Sequence, residues 1–391
     1  MASGDSLCIK NGLIYTPLKV IENGVLLIHK GKIKQVGSES QVNIPRNSTV
    51  IDADKHIVCP GFLDLQVNGG GGVFLTEDAS YNGVCAVAKT HVKFGTTGIL
   101  PTIITAETNI ICTALKAVNE AVVKGTEGAN VLGSHLEGPF INEERKGIHE
   151  SKFIKKPSIL NFDAFFKASQ ATLKILTLAP EIEGSLGLIR HARKRGVLVS
   201  VGHSTANYSQ VQSATDAGLT LGTHVFNAMN GIDSREPGTV GAILSNDQIK
   251  TSLIADEIHV HPMSMKIVIN AKGIDKVFLV TDSMPPIGTT IKAFKLFDKT
   301  IHVKDGACHN ANGTIAGSIS SMNVSIKVIH EKVGIPLNWA IAMATEIPAS
   351  IIGISDKKGS LAVGKDADIT LCDSDMQIMK VIVGGKILYE K

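Results

Sequence analysis

The sequence predicts an α/β protein, a (β/α)8 TIM-like barrel joined to a small β-sandwich domain built from both ends of the chain. From residue 60 on, eight short apolar runs alternate with helix-like stretches such as NYSQVQSATDAG. Near-continuous apolar strands separated by helices are typical of a parallel sheet that is covered on both faces. Eight such units over about 220 residues approach the usual barrel length of roughly 250 residues. A doubly wound open sheet is the alternative.

The barrel strands are predicted in chain order at FLDLQV, TGILPTII, NVLGSHL, LKILTLAP, VLVSVGH, LTLGTHVF, TSLIAD and VFLVTD. Outside this region GVLLIHKGKIKQVG, STVIDADKHIVCPG and the C-terminal DADITLCDSDMQIMKVIVGGKILYEK suggest short strands punctuated by Gly and Asp. Because chain termini often lie close together, we expect these segments to pair. The predicted domains are therefore 1–59 with 362–391 for the small domain and 60–361 for the barrel.

Composition limits the classes of function. The 391 residues are 43% hydrophobic, enough for a sizeable core, and the formal net charge of +3 comes without a Lys/Arg block. We therefore expect neither nucleic acid nor a membrane surface as a partner. Six scattered cysteines without a C-x-x-C pair suggest free thiols in a reducing compartment. Since the start lacks a signal-peptide pattern and no apolar run reaches about 18 residues, a cytoplasmic location is expected.

Four polar residues stand where predicted strands stop. Glu137 ends the third strand, His203 the fifth, His224 the sixth and Asp282 the eighth. Each alone could be a helix cap or a hydrogen-bonded structural residue. A barrel, however, brings these strand ends to one mouth, and Glu with two neutral His is a recognised ligand set for a catalytic zinc. Asp282 is then a free carboxylate that can take a proton from an attacking water and return it to a departing amine. The pattern favours hydrolysis of an amide.

Ordered segments between about residues 59 and 369 resemble the N-acetylglucosamine-6-phosphate deacetylases of the amidohydrolase superfamily. Each segment is weakly specific, whereas the whole set in consistent order is very specific. The segments are PGFLDLQVNG, GTTGILPTIIT, HLEGPFIN with KGIHE, LAPE, VGHSTA, THVFNAMNGIDSREPG, IADEIHVHP, LVTDSM, GTIAGS and GSLAVGKDADI.

This resemblance implies roles for the matched positions. Glu137, His203 and His224 correspond to metal ligands, and Asp282 to the general base and acid. His149, in KGIHE, corresponds to a residue that binds the substrate and helps the metal polarise the acetyl carbonyl. One divalent ion per subunit is expected, with Zn2+ first and Fe2+, Co2+ or Mn2+ as alternatives, because Glu with two His accepts several ions.

The resemblance also implies a place for the sugar phosphate. Asn227 and Ala228 correspond to part of its cradle, with Ala228 acting through its backbone N–H. Arg235 and His259 correspond to residues that hold the phosphate and sugar, Arg235 and possibly His259 completing the neighbouring site of a homodimer. A planar guanidinium suits this role because it pairs with two phosphate oxygens at once. The alternative for Arg235 is a loop salt bridge on the surface.

Gln66 and Asn68 occupy the places where many members of the superfamily carry His-x-His for a second metal. Neutral amide oxygens are poor zinc ligands, so a second site is not expected. We expect both amides to hydrogen-bond in the pocket, to the substrate or, for Asn68, within the turn. After the eighth strand, residues 291–317 form an insert that suggests a β-hairpin lid.

The implied reaction removes acetyl from N-acetyl-D-glucosamine 6-phosphate and gives D-glucosamine 6-phosphate and acetate, in amino-sugar catabolism or recycling. One alternative is an amidohydrolase acting on a cyclic amide, which would usually need two metals and a carboxylated Lys, or on a related acylamino sugar. Another is a non-catalytic barrel scaffold. A scaffold should have lost ligands, yet all four metal-site positions are intact.

Overall fold

The computed structural model of the chain describes residues 6–16 and 19–391, so residues 1–5 and 17–18 of the predicted small domain lie outside the described part. The N-terminal strands are β1 (Ser6–Tyr15), β2 (Val20–His29), β3 (Lys32–Ser38), β4 (Thr49–Asp52) and β5 (Ile57–Pro60). Strand β1 pairs antiparallel with β2 and parallel with β4 and β5, and β2 pairs antiparallel with β3.

The apolar half of β2 explains why this sheet is buried on both faces. Leu26 and Ile28 belong to one hydrophobic cluster, while Val25 and Leu27 belong to another. Successive side chains of a strand point to opposite faces, so a continuous apolar run fills two separate cores.

The barrel follows, with its strands in the order β6-β9-β11-β12-β13-β14-β15-β16 and every neighbouring pair parallel. All eight predicted strands are present, which confirms the barrel and makes the open-sheet alternative wrong. The third predicted run is split at Gly133 into β10 and β11, both beside β9. The strands are β6 (Phe62–Val67), β7 (Gly69–Gly70), β8 (Val73–Phe74), β9 (Thr96–Ile104), β10 (Asn130–Val131), β11 (Ser134–Glu137), β12 (Leu173–Leu178), β13 (Leu198–Val201), β14 (Leu221–Gly222), β15 (Lys250–Leu253) and β16 (Val277–Leu279).

The barrel closes between β6 and the segment that follows β16. The Asp282 N–H donates to the Gln66 carbonyl (3.0 Å) and the Asn68 N–H to the Ser283 carbonyl (3.1 Å). The buried carboxylate of Asp64 adds a second link, since it accepts bonds from the Gln66 N–H, the Thr281 N–H and the Thr281 hydroxyl. This seam places Gln66 and Asn68 beside Asp282.

Helices cover the outside of the barrel, and two of them begin with recognisable capping signals. Helix α5 begins with a capping box in which Asn207 and Gln210 bond to each other's backbone N–H. Helix α7 has Pro262 as its first residue, where a missing N–H costs nothing. No helix of the described residues combines the length and apolar character needed to cross a bilayer. The α-helices are α1 (Tyr81–Val92), α2 (Thr108–Lys124), α3 (Ile159–Ala168), α4 (Ser185–Lys194), α5 (Tyr208–Asp216), α6 (Gly238–Ser245), α7 (Pro262–Lys272), α8 (Met322–Glu331), α9 (Leu337–Met343) and α10 (Glu346–Ile351); short 3-10 helices occupy Glu143–Arg145, Ser151–Phe153 and Ile274–Lys276.

The insert after the eighth barrel strand is a four-stranded antiparallel sheet rather than a single hairpin. Its strands are β17 (Ala293–Leu296), β18 (Lys299–Lys304), β19 (Ala307–His309) and β20 (Ile315–Ser318). Strand β20 is bonded to the barrel mouth, because the Met284 N–H donates to the Ser318 carbonyl (2.9 Å) and the Ser318 N–H to the Asp282 carbonyl (3.2 Å). The inner edge of the insert is therefore anchored beside Asp282.

The chain ends by completing the first sheet with β21 (Ile369–Cys372), β22 (Ile378–Val383) and β23 (Lys386–Glu390). Strand β21 runs antiparallel to β5, with Thr370 opposite Cys59, so both ends of the chain form one sheet in the order β23-β22-β21-β5-β1-β2-β3. This confirms the predicted fold class. The domain limits 1–59 with 362–391 and 60–361 stay a prediction.

Candidate metal centre and active site

A cavity of about 370 Å3 opens at the carboxyl ends of the barrel strands. Of the residues predicted from sequence, only Gln66 and Arg235 are absent from its lining. The predicted residues that line it are Asn68, Glu137, His149, His203, His224, Asn227, Ala228, His259 and Asp282. The structure thus brings these nine side chains together from six strand ends and loops, while the roles assigned to them stay a prediction.

Four of these residues hold a backbone conformation that side chains rarely adopt, and three of the four stand just after a barrel strand. His203 (φ 50°), His224 (φ 34°) and Asp282 (φ 50°) are left-handed, each just after its strand ends. Such a conformation costs about 1–3 kcal/mol at a non-glycine residue and persists only where the surroundings impose it. Here the His224 N–H donates to the Ser252 hydroxyl (2.7 Å) and the Asp282 N–H to the Gln66 carbonyl. Strain gathered at one mouth is typical of a functional site.

The centre of the site is one carboxylate oxygen. Glu137 Oε1 lies 3.1 Å from His203 Nε2 and 2.9 Å from His224 Nε2. His203 Nδ1 lies 2.8 Å from the Arg145 carbonyl, which only accepts, so this nitrogen carries the proton. The Nε2 atom of His203 therefore faces the Glu137 carboxylate, and an imidazole nitrogen and a carboxylate oxygen placed this close can share one metal ion. Zinc bonded at about 2.0–2.1 Å in a tetrahedron would hold such atoms roughly 3.3 Å apart, so the donor set fits a metal ion.

His149 lies close to the same centre. Its potential ligand atom and those of Glu137 and His203 all lie within 4.8 Å of one another, and the His149 and His203 ring centroids are 4.5 Å apart. His149 Nδ1 is 2.7 Å from the Thr105 hydroxyl, so Nε2 is the ring nitrogen left to bind a metal or a substrate. By distance, Glu137, His149 and His203 can hold a metal, while His224 is placed beside them by its Nε2 contact with the same Glu137 oxygen (2.9 Å).

The charges of this cluster are set by burial and by the mutual bonds. Burial alone would raise the pKa of Glu137, but the bonds from His203 and His224 hold it well below its usual range. Burial would lower the pKa of His224, while the Glu137 carboxylate raises it above its ordinary value. Burial, together with His203, lowers the pKa of His149 to about 3. Glu137 is thus an ionised carboxylate and His149 a neutral ring.

Asp282 is held by the two amides that the sequence singled out. Gln66 Nε2 donates to Asp282 Oδ1 (3.0 Å) and to Glu137 Oε1 (3.1 Å), and Asn68 Nδ2 donates to the same Asp282 oxygen (2.6 Å). Carboxylates only accept, so the amide nitrogens must face them. Burial, followed by the charge of Glu137, raises the pKa of Asp282 to about 6. A carboxyl group that titrates near neutrality can both accept and return a proton.

The predicted sugar-phosphate cradle follows His224. Asn227 Nδ2 donates to the His224 carbonyl (3.2 Å), which fixes the amide at the edge of the cavity. Ala228 is left-handed (φ 52°), and its N–H has no acceptor within the described chain. A free backbone N–H beside a cavity suits an anionic oxygen.

His259 is oriented by Asp256, a residue that sequence reasoning missed. The His259 Nδ1–H donates to Asp256 Oδ2 (2.6 Å), and Asp256 Oδ1 accepts from the Ile258 and His259 N–H groups. Burial would raise the pKa of Asp256, but these bonds keep it below its usual range. The Nε2 atom of His259 is then left for a ligand. The available signal was that Asp256 ends the predicted strand TSLIAD, three residues before His259.

Other supporting residues were also missed. Thr105 bonds to His149, and the Arg145 carbonyl fixes the ring of His203. Glu181, in LAPE, accepts bonds from the Ser204 hydroxyl (2.7 Å) and the Thr205 N–H (2.7 Å), which braces the loop after His203. By contrast, Arg235 is exposed in the loop before α6, and the structure does not bring its side chain into the cavity of its own chain.

Comparison with known proteins places this site in a family. The profile described as "Amidohydrolase family" matches residues 57–388. The chain belongs to the amidohydrolase family. Among its relatives, N-acetylglucosamine-6-phosphate deacetylase of Bacillus subtilis (strain 168) is 35% identical over 98% of this chain and 98% of that protein. N-acetylgalactosamine-6-phosphate deacetylase of Shewanella sp. (strain ANA-3) is 32% identical over 84% of this chain and 82% of its own length.

Solved structures of amidohydrolases agree with the fold. N-acetylglucosamine-6-phosphate deacetylase from Pasteurella multocida superposes with a TM-score of 0.92 at 34% identity, covering 98% of this chain and 99% of that one. A mutant of the enzyme from Mycobacterium smegmatis, in complex with N-acetyl-D-glucosamine-6-phosphate, superposes with a TM-score of 0.91 at 28% identity, covering 98% of this chain and all of its own (100%).

Proposed function

We propose that this amidohydrolase removes the acetyl group from N-acetyl-D-glucosamine 6-phosphate and gives D-glucosamine 6-phosphate and acetate. The observation that carries the proposal is the meeting of Glu137, His203, His224 and Asp282 at one cavity, in a chain whose near-full-length relatives are named for this activity. The proposed setting is amino-sugar catabolism or recycling in the cytoplasm, and six free cysteines are compatible with a reducing compartment.

The proposed metal ligands are Glu137, His203 and His224, because both imidazole Nε2 atoms contact the same Glu137 oxygen. Amidohydrolases are metal-dependent, and Zn2+ is our first choice over Fe2+, Co2+ or Mn2+. When bound there, the divalent ion would supply Lewis-acid polarisation of the acetyl carbonyl. A neutral His149 can donate Nε2–H to the same carbonyl oxygen when the Thr105 hydroxyl donates to its Nδ1.

Asp282 moves the proton in this proposal. Its Oδ1 accepts bonds from Gln66 and Asn68, so we assign the proton transfer to Oδ2. As the water oxygen bonds to the carbonyl carbon, Asp282 takes its proton. Asp282 then gives the proton to the sugar nitrogen as the C–N bond breaks, which releases acetate and the amine. Amines leave poorly without such protonation.

The phosphate is proposed to lie against Asn227, the Ala228 N–H and His259, with Arg235 of the partner subunit completing the site of a homodimer. Support comes from the position of the first three at the cavity and from the exposure of Arg235. Release of acetate from the phosphorylated sugar, its unphosphorylated form and the galactosamine epimer, compared with the ring-opening hydrolysis of a cyclic amide, tests the proposal. Preference for the cyclic amide would overturn it.

We expect one tightly bound metal ion per chain. Gln66 and Asn68 direct their nitrogens at Asp282 and Glu137, and their remaining ligand atoms are neutral amide oxygens, which are poor zinc ligands compared with imidazole. Elemental analysis of metal-replete protein, before and after chelator, measures the count. His302→Ala, at an exposed site in the insert, should leave it unchanged. Two equivalents, both resistant to mild chelation, would contradict the single site.

The two possible sets of ligands predict different effects of substitution on metal content. With His224 as ligand, His224→Asn should lose most of its metal, whereas His149→Asn should keep it. His149→Asn should instead lower kcat by about 10²–10³-fold, because a donor to the developing oxyanion is lost. Metal content and kcat of both proteins, measured side by side, decide between them. Loss of metal in His149→Asn with retention in His224→Asn would assign the other set.

A further inference from the structure

One side of the cavity is apolar. Ile104, Ile148, Met284 and Ile315, which we name the apolar wall, all line it. They come from β9, from the loop before His149, from the segment after β16 and from the insert. In the barrel these residues belong to β9, to the loop after β11 and to the chain after β16, whereas Asn227, Ala228 and His259 follow β14 and β15. The cavity therefore has an apolar side beneath the insert and a polar side beyond it.

The Met284 side chain is closely packed. It is fully buried (0% exposed), and its N–H is bonded to Ser318 of β20. Gly317, which also lines the cavity, lies against it, and an added Cβ there would lie 2.6 Å from Met284 Cγ and 3.2 Å from the Asp282 carbonyl oxygen. Buried Leu296, Cys308 and Ala316 of the insert belong to the same hydrophobic cluster. The base of the wall is thus packed from behind by the insert.

The wall adjoins the groups that would act on the scissile carbonyl. Met284 lies two residues after Asp282, Ile148 precedes His149, and Ile104 precedes Thr105, which bonds to His149. A carbonyl carbon has three substituents in one plane. With the oxygen directed at His149 and the nitrogen leading to the sugar on the polar side, the third substituent faces the wall.

We propose that the apolar wall, with Met284 at its base, determines which acyl group this enzyme accepts. It packs against the methyl group of acetyl and excludes longer chains. This inference rests on the proposed function and adds the residues that set its acyl specificity. Because the wall is held by the insert, the insert acts as a fixed side of the acyl site.

The test is a series of glucosamine 6-phosphates carrying formyl, acetyl, propionyl or butyryl on nitrogen. One methylene too many for an apolar pocket lowers kcat/KM by about 10–200-fold, so the natural protein should show such a fall from acetyl to propionyl. Met284→Ala should raise the propionyl-to-acetyl ratio by about 10-fold or more. The ratio within one preparation does not depend on the fraction of active protein.

Leu296→Ala is the matched control, since Leu296 is buried in the same cluster without lining the cavity. It should lower stability and leave the ratio unchanged. Ile315→Ala, at a half-buried position, provides a second opening of the wall should Met284→Ala fail to fold. An unchanged propionyl-to-acetyl ratio in both wall variants would overturn the proposed role of the apolar wall. An equal change of this ratio in Leu296→Ala would do the same. Absence of acetyl release by the natural protein would instead overturn the proposed function itself.

Discussion

Asp282→Asn should lower the turnover of N-acetyl-D-glucosamine 6-phosphate by about 10²–10⁴-fold or more, the range that general acid/base groups contribute. The change keeps the size of the side chain, and the new amide can turn its oxygen toward Gln66 and Asn68, which both donate to this position. What is lost is the ability to carry a proton. Steady-state acetate release and a direct measurement of substrate binding separate the two effects, since binding should survive.

Asp275→Asn is the control for this experiment, because Asp275 lies on the surface in the segment that leads into β16. Its activity should match that of the unchanged protein. Metal content should also be equal in both variants, since no ligand is altered. Near-normal turnover in Asp282→Asn would mean that another residue moves the proton.

Arg235→Ala should weaken use of the phosphorylated sugar by roughly 10–150-fold, because a bond to a charged group contributes about 1.5–3 kcal/mol. The unphosphorylated sugar should be affected little. Arg145 provides a sharp comparison: it lines the cavity of its own chain and bonds to Asn230 Oδ1 (2.7 Å). A phosphate-specific loss in Arg145→Ala, with none in Arg235→Ala, would move the phosphate role to Arg145. Values of kcat/KM for both sugars decide this.

Mixing subunits tests the dimer separately. In a mixed dimer of Asp282→Asn and Arg235→Ala chains, one site has both Asp282 and the partner's Arg235 intact. Activity should therefore return on subunit exchange, although each parent is poor. A mixture that stays as poor as its parents, with mixed dimers demonstrated, would make the cross-subunit assignment wrong.

The barrel was predictable from sequence because its strands are buried on both faces. A continuous apolar run such as VFLVTD is recognisable as a buried strand without an alternating pattern. Eight such strands alternating with helix-like segments are compatible with few folds other than the barrel. The strand-end residues Glu137, His203 and His224 followed from the same geometry. Each lies at the end of a strand, so knowledge of the fold gave their approximate meeting point before any coordinates.

Contacts across the seam could not be predicted in this way. Gln66 and Asn68 bond to Asp282 only because β6 lies beside the segment after β16 in one particular register. Apolar periodicity carries no information on that register. The same holds for Thr105 beside His149 and for the bonding of β20 to Met284, since both join residues far apart in the chain. The proposed role of Arg235 depends on contact with a neighbouring subunit, and the sequence pattern of one chain does not describe that contact.

The left-handed backbone at His203, His224 and Asp282 bears on the rival idea of a barrel that has lost its chemistry. Glycine adopts this conformation without steric penalty, whereas each of these three side chains is destabilising there. Active sites often retain such strain at a cost in stability, because the geometry that it imposes serves the chemistry. The meeting of three such residues at one cavity is the arrangement expected of an active site rather than of a scaffold without chemistry.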